Sequence, residues 1–409
     1  MPALCAAEGS NFDLCVVGGA GHVGLPLSIL FAVKGLRVII YDINVEAMQT
    51  IAAGKMPFLE RGAEPLLREA LDNGRLFFTT EAADAARASN IVIVIGTPVD
   101  EFLNPSVKPV MRCIDTLLPY LSDDQLIILR STVYPGLTDS IARYLASKNK
   151  NVRLSFCPER TAQGYALEEL QSLPQVVSGT TLEAEDAAAA LFAKVAPRIV
   201  RLTPIQAELA KLFSNAYRYI QHAVTNQFYL IASTAGVDYF AVLDAMKDDY
   251  PRMADIPSPG FTAGPCLFKD TMQLAAFYKN QFSIGHAAML VNESLPMFVV
   301  DSLASQYRLE ELTVGLLGMA FKADSDDPRS SLSYKVKKLL SFRAKNVLTT
   351  DPFLTSDPAL LPINEVISRS DILILCTPHQ AYKDLIFHDK IVVDIWNLWG
   401  QHQARLVAA

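Results

Sequence analysis

The chain has 409 residues, 51% of them apolar and 19% charged, which is material for two or three packed domains rather than one. Its formal net charge of −7, with no basic run, argues against a nucleic-acid partner. Six cysteines (5, 15, 113, 157, 266 and 376) are scattered without a CxxC pair, which reads as free thiols in a reducing compartment and offers no metal-ligand spacing.

The start, MPALCAAEGSNF, has neither a positive n-region nor an apolar h-region, so no secretory signal is expected. Apolar runs such as IVIVI at 91–95 fall far short of the ~20 residues that a membrane span needs, so a cytoplasmic protein without a membrane partner is the expectation. Residues 12 to 42 read strand, glycine turn, helix, strand: FDLCVV, GGAGHVG, LPLSILFAVKG and RVIIYD. Within the turn, Gly19, Gly21 and Gly24 satisfy GxGxxG, a pattern that needs a sharp turn, backbone close to a pyrophosphate and tight helix-to-strand packing. Asp42 follows Gly24 by 18 residues at a strand end, where an acid bonds a ribose 2′-hydroxyl and repels a 2′-phosphate. That favours NAD over NADP. The alternation continues with strands expected at NIVIVIGTP (90–98), LIILRSTV (126–133) and VRLSFCPE (152–159).

Residues 205 to about 305 read helical. IQAELAKLFSNAYRYIQHAVTNQFYLIASTAG (205–236) places Leu209, Leu212, Phe213, Ala216, Ile220 and Ala223 on one face. Lys211, Asn215, Arg218, His222 and Asn226 form a polar stripe, either a solvated face or the lining of a cavity or subunit interface; Tyr217, Tyr219, Phe228 and Tyr229 widen the apolar surface. A helix this long is also a natural dimer element. The C-terminal part repeats the first plan with TVGLLGMAFK (313–322), NVLTTDP (346–352), SDILILCTP (370–378) and KIVVDIWN (390–397). It has only Gly315 and Gly318 in its turn, so it reads as a unit for a nucleotide other than a dinucleotide, or as a degenerate structural copy. The fold expected is α/β, two Rossmann-like doubly wound domains (1–204 and 306–409) joined by a central helical region (205–305).

Ligands in open α/β sheets sit beyond the carboxyl ends of the strands, where Thr132, Glu159 and Lys322 fall. Cys266, in the loop SPGFTAGPCLFKD, has two readings on its own, a small buried apolar residue or a nucleophile. Several segments stand in one order along nearly the whole chain: VVGGAGHVGLPL, IGTPVDE, RSTVYPG, CPERTAQGYALEEL, AELAKLFSNAYRY, GPCLFKD and GLLGMAFKADSDDPRSS. In these the chain resembles the UDP-glucose/GDP-mannose dehydrogenase family, the nucleotide-sugar 6-dehydrogenases.

The resemblance implies a four-electron oxidation of a sugar C6 alcohol to a carboxylate with two NAD in succession, through a cysteine thiohemiacetal and thioester. It makes Cys266 the nucleophile, Asp270 the acid near the thiol and hydrolytic water, and Lys211 with Asn215 the KxxxN pair that meets the developing oxyanion. Thr132 and Glu159 match positions that hold the water and shape the nicotinamide site. Further cofactor contacts fall on His22, Val23, Thr97, Pro98 and Arg329, and substrate contacts on Glu159, Lys211, Asn215, Arg252, Phe261, Gly264 and Lys322. A nucleotide-sugar substrate, a homodimer through the long helix and a role in surface-polysaccharide precursor synthesis are likewise implied.

The loop before the cysteine departs from the family's glycine-rich pattern, with Phe261, Thr262 and Ala263 interrupting it and Pro265 preceding the thiol. PERTAQG resembles the branch acting on UDP-N-acetylhexosamines such as UDP-N-acetylmannosamine, whereas Lys269 before Asp270 is commoner in the UDP-glucose and GDP-mannose branches. The reading leans to the N-acetylhexosamines. The competing classes are a two-electron β-hydroxyacid-type dehydrogenase, which needs neither the cysteine nor a second nucleotide unit, and a non-catalytic nucleotide-sugar binder, which needs no thiol.

Overall fold

The computed structural model of the protein describes residues 11–100, 105–262 and 264–400. Cys5, Glu101 of IGTPVDE and Ala263 of the cysteine loop lie outside the described residues. The chain divides into two compact units, Met1–Ser214 and Asn215–Ala409.

The first unit is built on an eight-stranded sheet of β1 (Phe12–Val17), β2 (Val38–Tyr41), β3 (Leu76–Thr79), β4 (Ala88–Ile93), β5 (Leu126–Leu129), β6 (Arg153–Phe156), β7 (Gln175–Gly179) and β8 (Ile199–Arg201). Their order is β3-β2-β1-β4-β5-β6-β7-β8. All neighbours pair in parallel except β6 with β7, which are antiparallel. The strand order reverses between β1 and β4, and the crevice beyond their carboxyl ends is where such sheets bind ligands. The helix Gly24–Val33 that follows the glycine turn is apolar nearly all round and has nine buried residues, as befits a helix enclosed by its own unit.

The second unit carries a parallel sheet of β9 (Thr313–Leu317), β10 (Asn346–Thr350), β11 (Ile372–Leu375) and β12 (Ile391–Val393), ordered β10-β9-β11-β12. Against it packs the helix Ser283–Gln306, whose Leu295, Val299, Val300 and Leu303 join Val314, Leu316, Ile372 and Ile374 in one core. By length and composition alone this helix could cross a membrane, but its burial in that core accounts for its apolarity.

The structure corrects several expectations. The strands expected at 90–98, 126–133 and 152–159 stop at Ile93, Leu129 and Phe156. Past those points the chains splay into loops, leaving Thr97, Thr132 and Glu159 beyond the strand ends. The short strands β3, β7 and β8 have no counterpart in the sequence reading, because three to five residues hold too little alternation to stand out. On the long helix (Pro204–Thr234), Leu212, Ala216 and Ala223 are buried as expected, but Phe213 is 54% exposed and Tyr217 64%. Asn215 and Asn226 from the polar stripe are buried as well, so the inward face takes in part of each stripe.

Candidate active site

In the first unit the glycine turn is shaped by crowding. Gly18, with φ +76°, would bring a Cβ within 2.7 Å of the Val94 carbonyl oxygen, and a Cβ on Gly24 would lie 2.6 Å from both the Gly18 oxygen and Gly19 Cα. Gly19 is similarly hemmed in by the Val16 carbonyl, 2.7 Å from its Cβ position. Gly21 differs: its Cβ would meet only the Gly18 oxygen, at an ordinary 3.6 Å, so packing within the chain does not require glycine there. At the end of β2, the half-buried Asp42 accepts from Ala20 N (3.0 Å) through Oδ2 and from Asn44 N (2.9 Å) through Oδ1. The His22 ring stacks on Phe58 with centroids 4.0 Å apart. Thr97 Oγ1 donates to the Thr132 carbonyl at 2.7 Å, so two of the expected residues are joined directly, while Pro98 is exposed beside them.

Adjacent strands β5 and β6 deliver Arg130 and Glu159 side by side. Arg130 donates through Nε (2.9 Å) and Nη2 to Glu159 Oε2, and through Nη1 to the carbonyl of Cys157 (3.3 Å) and to Gln175 Oε1 (3.1 Å). Glu159 Oε1 accepts from the backbone of Arg160 (2.6 Å) and Thr161 (2.7 Å). Burial opposes the charge on Glu159, yet Arg130, the Thr161 amide and Lys211 together hold it below the usual carboxylate range. Glu60, a buried carboxylate, accepts from Gly164 N (2.9 Å) and Leu167 N (3.3 Å) and so fixes the loop that follows Glu159.

In the second unit, Cys266 is exposed and caps the helix Leu267–Phe277, with Asp270 N donating to its carbonyl at 2.9 Å. Asp270, one turn into that helix, is buried and accepts from Asn215 Nδ2 at 2.6 Å through Oδ2. Lys269 Nζ lies 3.2 Å from Asp270 Oδ1, which has no hydrogen bond of its own. The Lys269–Asp270 pair is therefore inside the fold, not a surface ion pair. Lys211 and Asn215 sit one turn apart on the long helix and project from the same side.

The loop before Cys266 is held from both ends. Asn226 accepts from Gly260 N (2.8 Å) and donates to Gly260 O (3.1 Å), and its Nδ2 also meets Asn292 Oδ1 at 2.9 Å. Gly260 has φ +155°, and a Cβ there would strike the Trp396 ring at 2.3 Å. Gly264, at φ +105°, has no room beside Phe321, whose ring would be 2.5 Å from its Cβ, and its N–H donates to Ser330 O at 3.3 Å. That bond ties the cysteine loop to the segment carrying Lys322 and Arg329. Arg329 forks onto Asp327 (Nε at 2.9 and 3.0 Å, Nη2 at 2.6 Å). The Asp327 bonds chiefly raise the pKa of Arg329, and a thiolate at Cys266 would add to this, so Arg329 stands within electrostatic reach of that sulfur.

Two expected residues fall elsewhere. Phe261 is buried and packs in the hydrophobic core of its unit. Arg252 lies in the exposed turn Pro251–Met253, where its guanidinium bonds Tyr250 OH at 3.3 Å and covers that ring. The sequence reading missed Gly18, Glu60, Arg130 and the clamping role of Asn226. A charged residue ending the apolar run LIIL was the one available sign of Arg130; the others depend on pairings between distant segments.

Three models of the UDP-glucose/GDP-mannose dehydrogenase family match, the NAD binding domain over residues 13–196, the central domain over 205–294 and the UDP binding domain over 315–401. The chain is 28% identical to the UDP-N-acetyl-D-mannosamine dehydrogenase of Pyrococcus horikoshii, over 93% of this chain and 94% of that one. It is 27% identical to the NDP-N-acetyl-D-galactosaminuronic acid dehydrogenase of Ralstonia nicotianae, over 98% of each. A solved UDP-glucose dehydrogenase from Pyrobaculum islandicum superposes with a TM-score of 0.89 at 26% identity, covering 99% of both chains.

Proposed function

The chain belongs to the UDP-glucose/GDP-mannose dehydrogenase family, and we propose that it oxidises the C6 alcohol of a nucleotide sugar to the carboxylate, the sugar being a UDP-N-acetylhexosamine such as UDP-N-acetylmannosamine. The observation that carries this reading is Cys266, exposed at a helix N-terminus with Asp270 one turn behind it and Asn215 bonded to that acid. NAD, when bound, supplies a hydride acceptor at each of two oxidations. The glycine turn supports this: a Cβ on Gly21 would meet only the Gly18 oxygen, at an ordinary 3.6 Å, and Asp42, the residue after β2, is an acid of the kind that bonds a ribose hydroxyl.

Lys211 and Asn215, one turn apart, set an ammonium and an amide donor against the developing oxyanion. The first oxidation takes a hydride from C6 and leaves the hydroxyl proton to a base, by way of a water held near Thr132. The Cys266 thiolate then adds to the aldehyde carbon, forming a C–S bond and an oxyanion; the helix end beside it favours that negative charge. Loss of the second hydride leaves a thioester. Water guided by Asp270 cleaves it, returning the thiolate. The sum is one alcohol, one water and two NAD⁺ giving one carboxylate, two NADH and three protons.

The preference for N-acetylhexosamines rests on PERTAQG and on the names of the relatives at 27–28% identity; UDP-glucose stays a defined alternative because of the solved dehydrogenase above. A homodimer is part of the proposal. Phe213, Tyr217, Val224, Phe228 and Ile231 form an exposed apolar stripe along the long helix, suited to a second copy. Cytoplasmic precursor synthesis is the setting proposed.

The test is to incubate the protein with NAD and a panel of UDP- and GDP-sugars and count the NADH formed per sugar consumed. Two is expected, with the fastest turnover on a UDP-N-acetylhexosamine. A ratio of one, ending at an aldehyde or ketone, would sink the four-electron mechanism. Cys266→Ser is expected to keep nucleotide-sugar binding and lose turnover by on the order of 10³-fold or more.

A further inference from the structure

Glu159 lies just beyond the carboxyl end of β6, and a carboxylate in such a position suggests a proton carrier. Its surroundings argue otherwise. Both oxygens are occupied only by donors: Nε and Nη2 of Arg130 on Oε2, and the amides of Arg160 and Thr161 on Oε1. A proton added to either oxygen would point at an N–H and forfeit a charge-assisted bond. Arg130 is itself locked. It is 1% exposed, four of its hydrogen bonds run to Glu159, Cys157 O and Gln175 Oε1, and its guanidinium lies 5.1 Å over the Phe192 ring. Gln175 is fixed in turn by donating to Pro158 O (3.2 Å) and Val176 O (2.7 Å).

A buried ion pair contributes little more stability than well-packed apolar side chains of the same size, so stability alone does not explain this cluster. We propose that Arg130 is a positioning residue, holding Glu159 as an immobile anionic acceptor that pins the amides of Arg160 and Thr161 and with them the start of the loop 160–167, so that Glu159 carries no proton in the reaction. The proposal rests on the dehydrogenase reading above and deepens it. The groups facing Glu159 are Arg130 at the end of β5, Lys211 on the long helix, and the amides of its own loop together with the Thr161 hydroxyl. The neighbouring Cys157 thiol, pushed up to about 12 chiefly by burial, stays neutral and does not compete.

With Arg130 removed, desolvation is the largest remaining influence on Glu159 and favours the neutral acid. Two measurements test this. The first is infrared difference titration of the unaltered protein, with the Glu159 signal assigned by Glu159→Gln. The carboxylate is expected to persist to a pH lower than that at which an ordinary glutamate takes up its proton. Protonation of Glu159 anywhere between about pH 5 and 8 would overturn the proposal.

The second is the pH profile of kcat for Arg130→Met and Arg130→Lys. Arg130→Met is expected to gain an acid limb, with turnover falling as pH drops between about 8 and 5, while KM for NAD changes little. Arg130→Lys, which keeps the charge, should remove most of that limb. A methionine variant with the wild-type profile, merely scaled down, would mean that Arg130 only supports the fold and would end the idea. Should Arg130→Met fail to fold, the infrared titration still decides. If the unaltered protein oxidises no nucleotide sugar, the dehydrogenase reading fails, and the titration, which needs no turnover, reports on Arg130 separately.

Discussion

The two nucleotide-binding units look alike in sequence and differ in what their second strand's acid does. Each opens with a strand and a glycine turn, and each has an aspartate at the end of the next strand, Asp42 after β2 and Asp351 after β10. Both acids bond the amides of their glycine turns, Asp42 to Ala20 N and Asp351 to Met319 N (2.7 Å) and Ala320 N (2.9 Å). Asp42 then takes only one further donor and stays half exposed. Asp351 is buried and also accepts from Phe353 N (2.9 Å), Leu354 N (3.1 Å) and the His379 ring at 3.1 Å. The turns diverge as well. Gly24 already begins a helix, so amide donors face the crevice, whereas after Gly318 no helix starts until Leu332. An acid with capacity left beside a helix end suits a dinucleotide; an acid filled by its own fold has become a structural pin.

The sharpest way to break that contrast is Asp351→Asn. An amide cannot accept from every donor gathered there, so the second unit should lose about 3–5 kcal/mol, as when one partner of a buried pair is removed. Thermal unfolding would show an early transition of that unit, with nucleotide-sugar binding lost and NAD binding kept. The pH dependence carries the same signature. Burial opposes the charge on Asp351, but His379 and the backbone donors hold its pKa below the ordinary value. A lowered folded-state value stabilises above the unfolded value of about 3.9 and is lost as pH falls through the folded one. Acid unfolding of the second unit below about pH 4 should therefore steepen because of Asp351, and Asp351→Asn should flatten it.

None of this difference is legible from the two motifs, because the residue that distinguishes them is His379. Its ring Nδ1 accepts from Asp324 N at 3.0 Å while its Nε2 meets Asp351, a meeting of three distant segments. The same holds for Arg130 with Glu159 and for Asn226 with Gly260: one pair is made at the ends of neighbouring strands, the other by a helix and a loop packed on it, and no local spacing announces either. What the sequence did carry was local. Glycine positions in the first turn, the long helix and the strands rich in Val, Ile and Leu follow from short-range sterics and periodicity. The burial of Phe261 is hidden for the converse reason, since proximity to Cys266 in the chain says nothing about which way its ring turns.

A second, smaller test acts on the other acid. Asp42→Ser removes the charge that would bond a ribose and repel a 2′-phosphate, and leaves a hydroxyl able to accept from Ala20 N. KM for NAD should rise about tenfold, matching the ~1.5–3 kcal/mol of a hydrogen bond to a charged group less what the hydroxyl recovers. KM for NADP should fall, and the melting temperature should barely move. If the melting temperature drops as far as in Asp351→Asn, Asp42 is a pin too and the contrast between the units disappears.

The smallest effect on the fold, and the most specific one, is expected at Gly21. An alanine Cβ there meets nothing closer than 3.6 Å, and Gly21 does not adopt a positive φ, so stability should stay within about 0.5 kcal/mol of wild type. Gly18 and Gly24 offer no such freedom, because carbonyl oxygens at 2.7 and 2.6 Å already fill the space. Any rise in KM for NAD on Gly21→Ala therefore reports contact between that backbone and the cofactor, separated from folding. An unchanged KM would reduce the first turn to what Gly318 makes of the second, a bend that serves the chain alone.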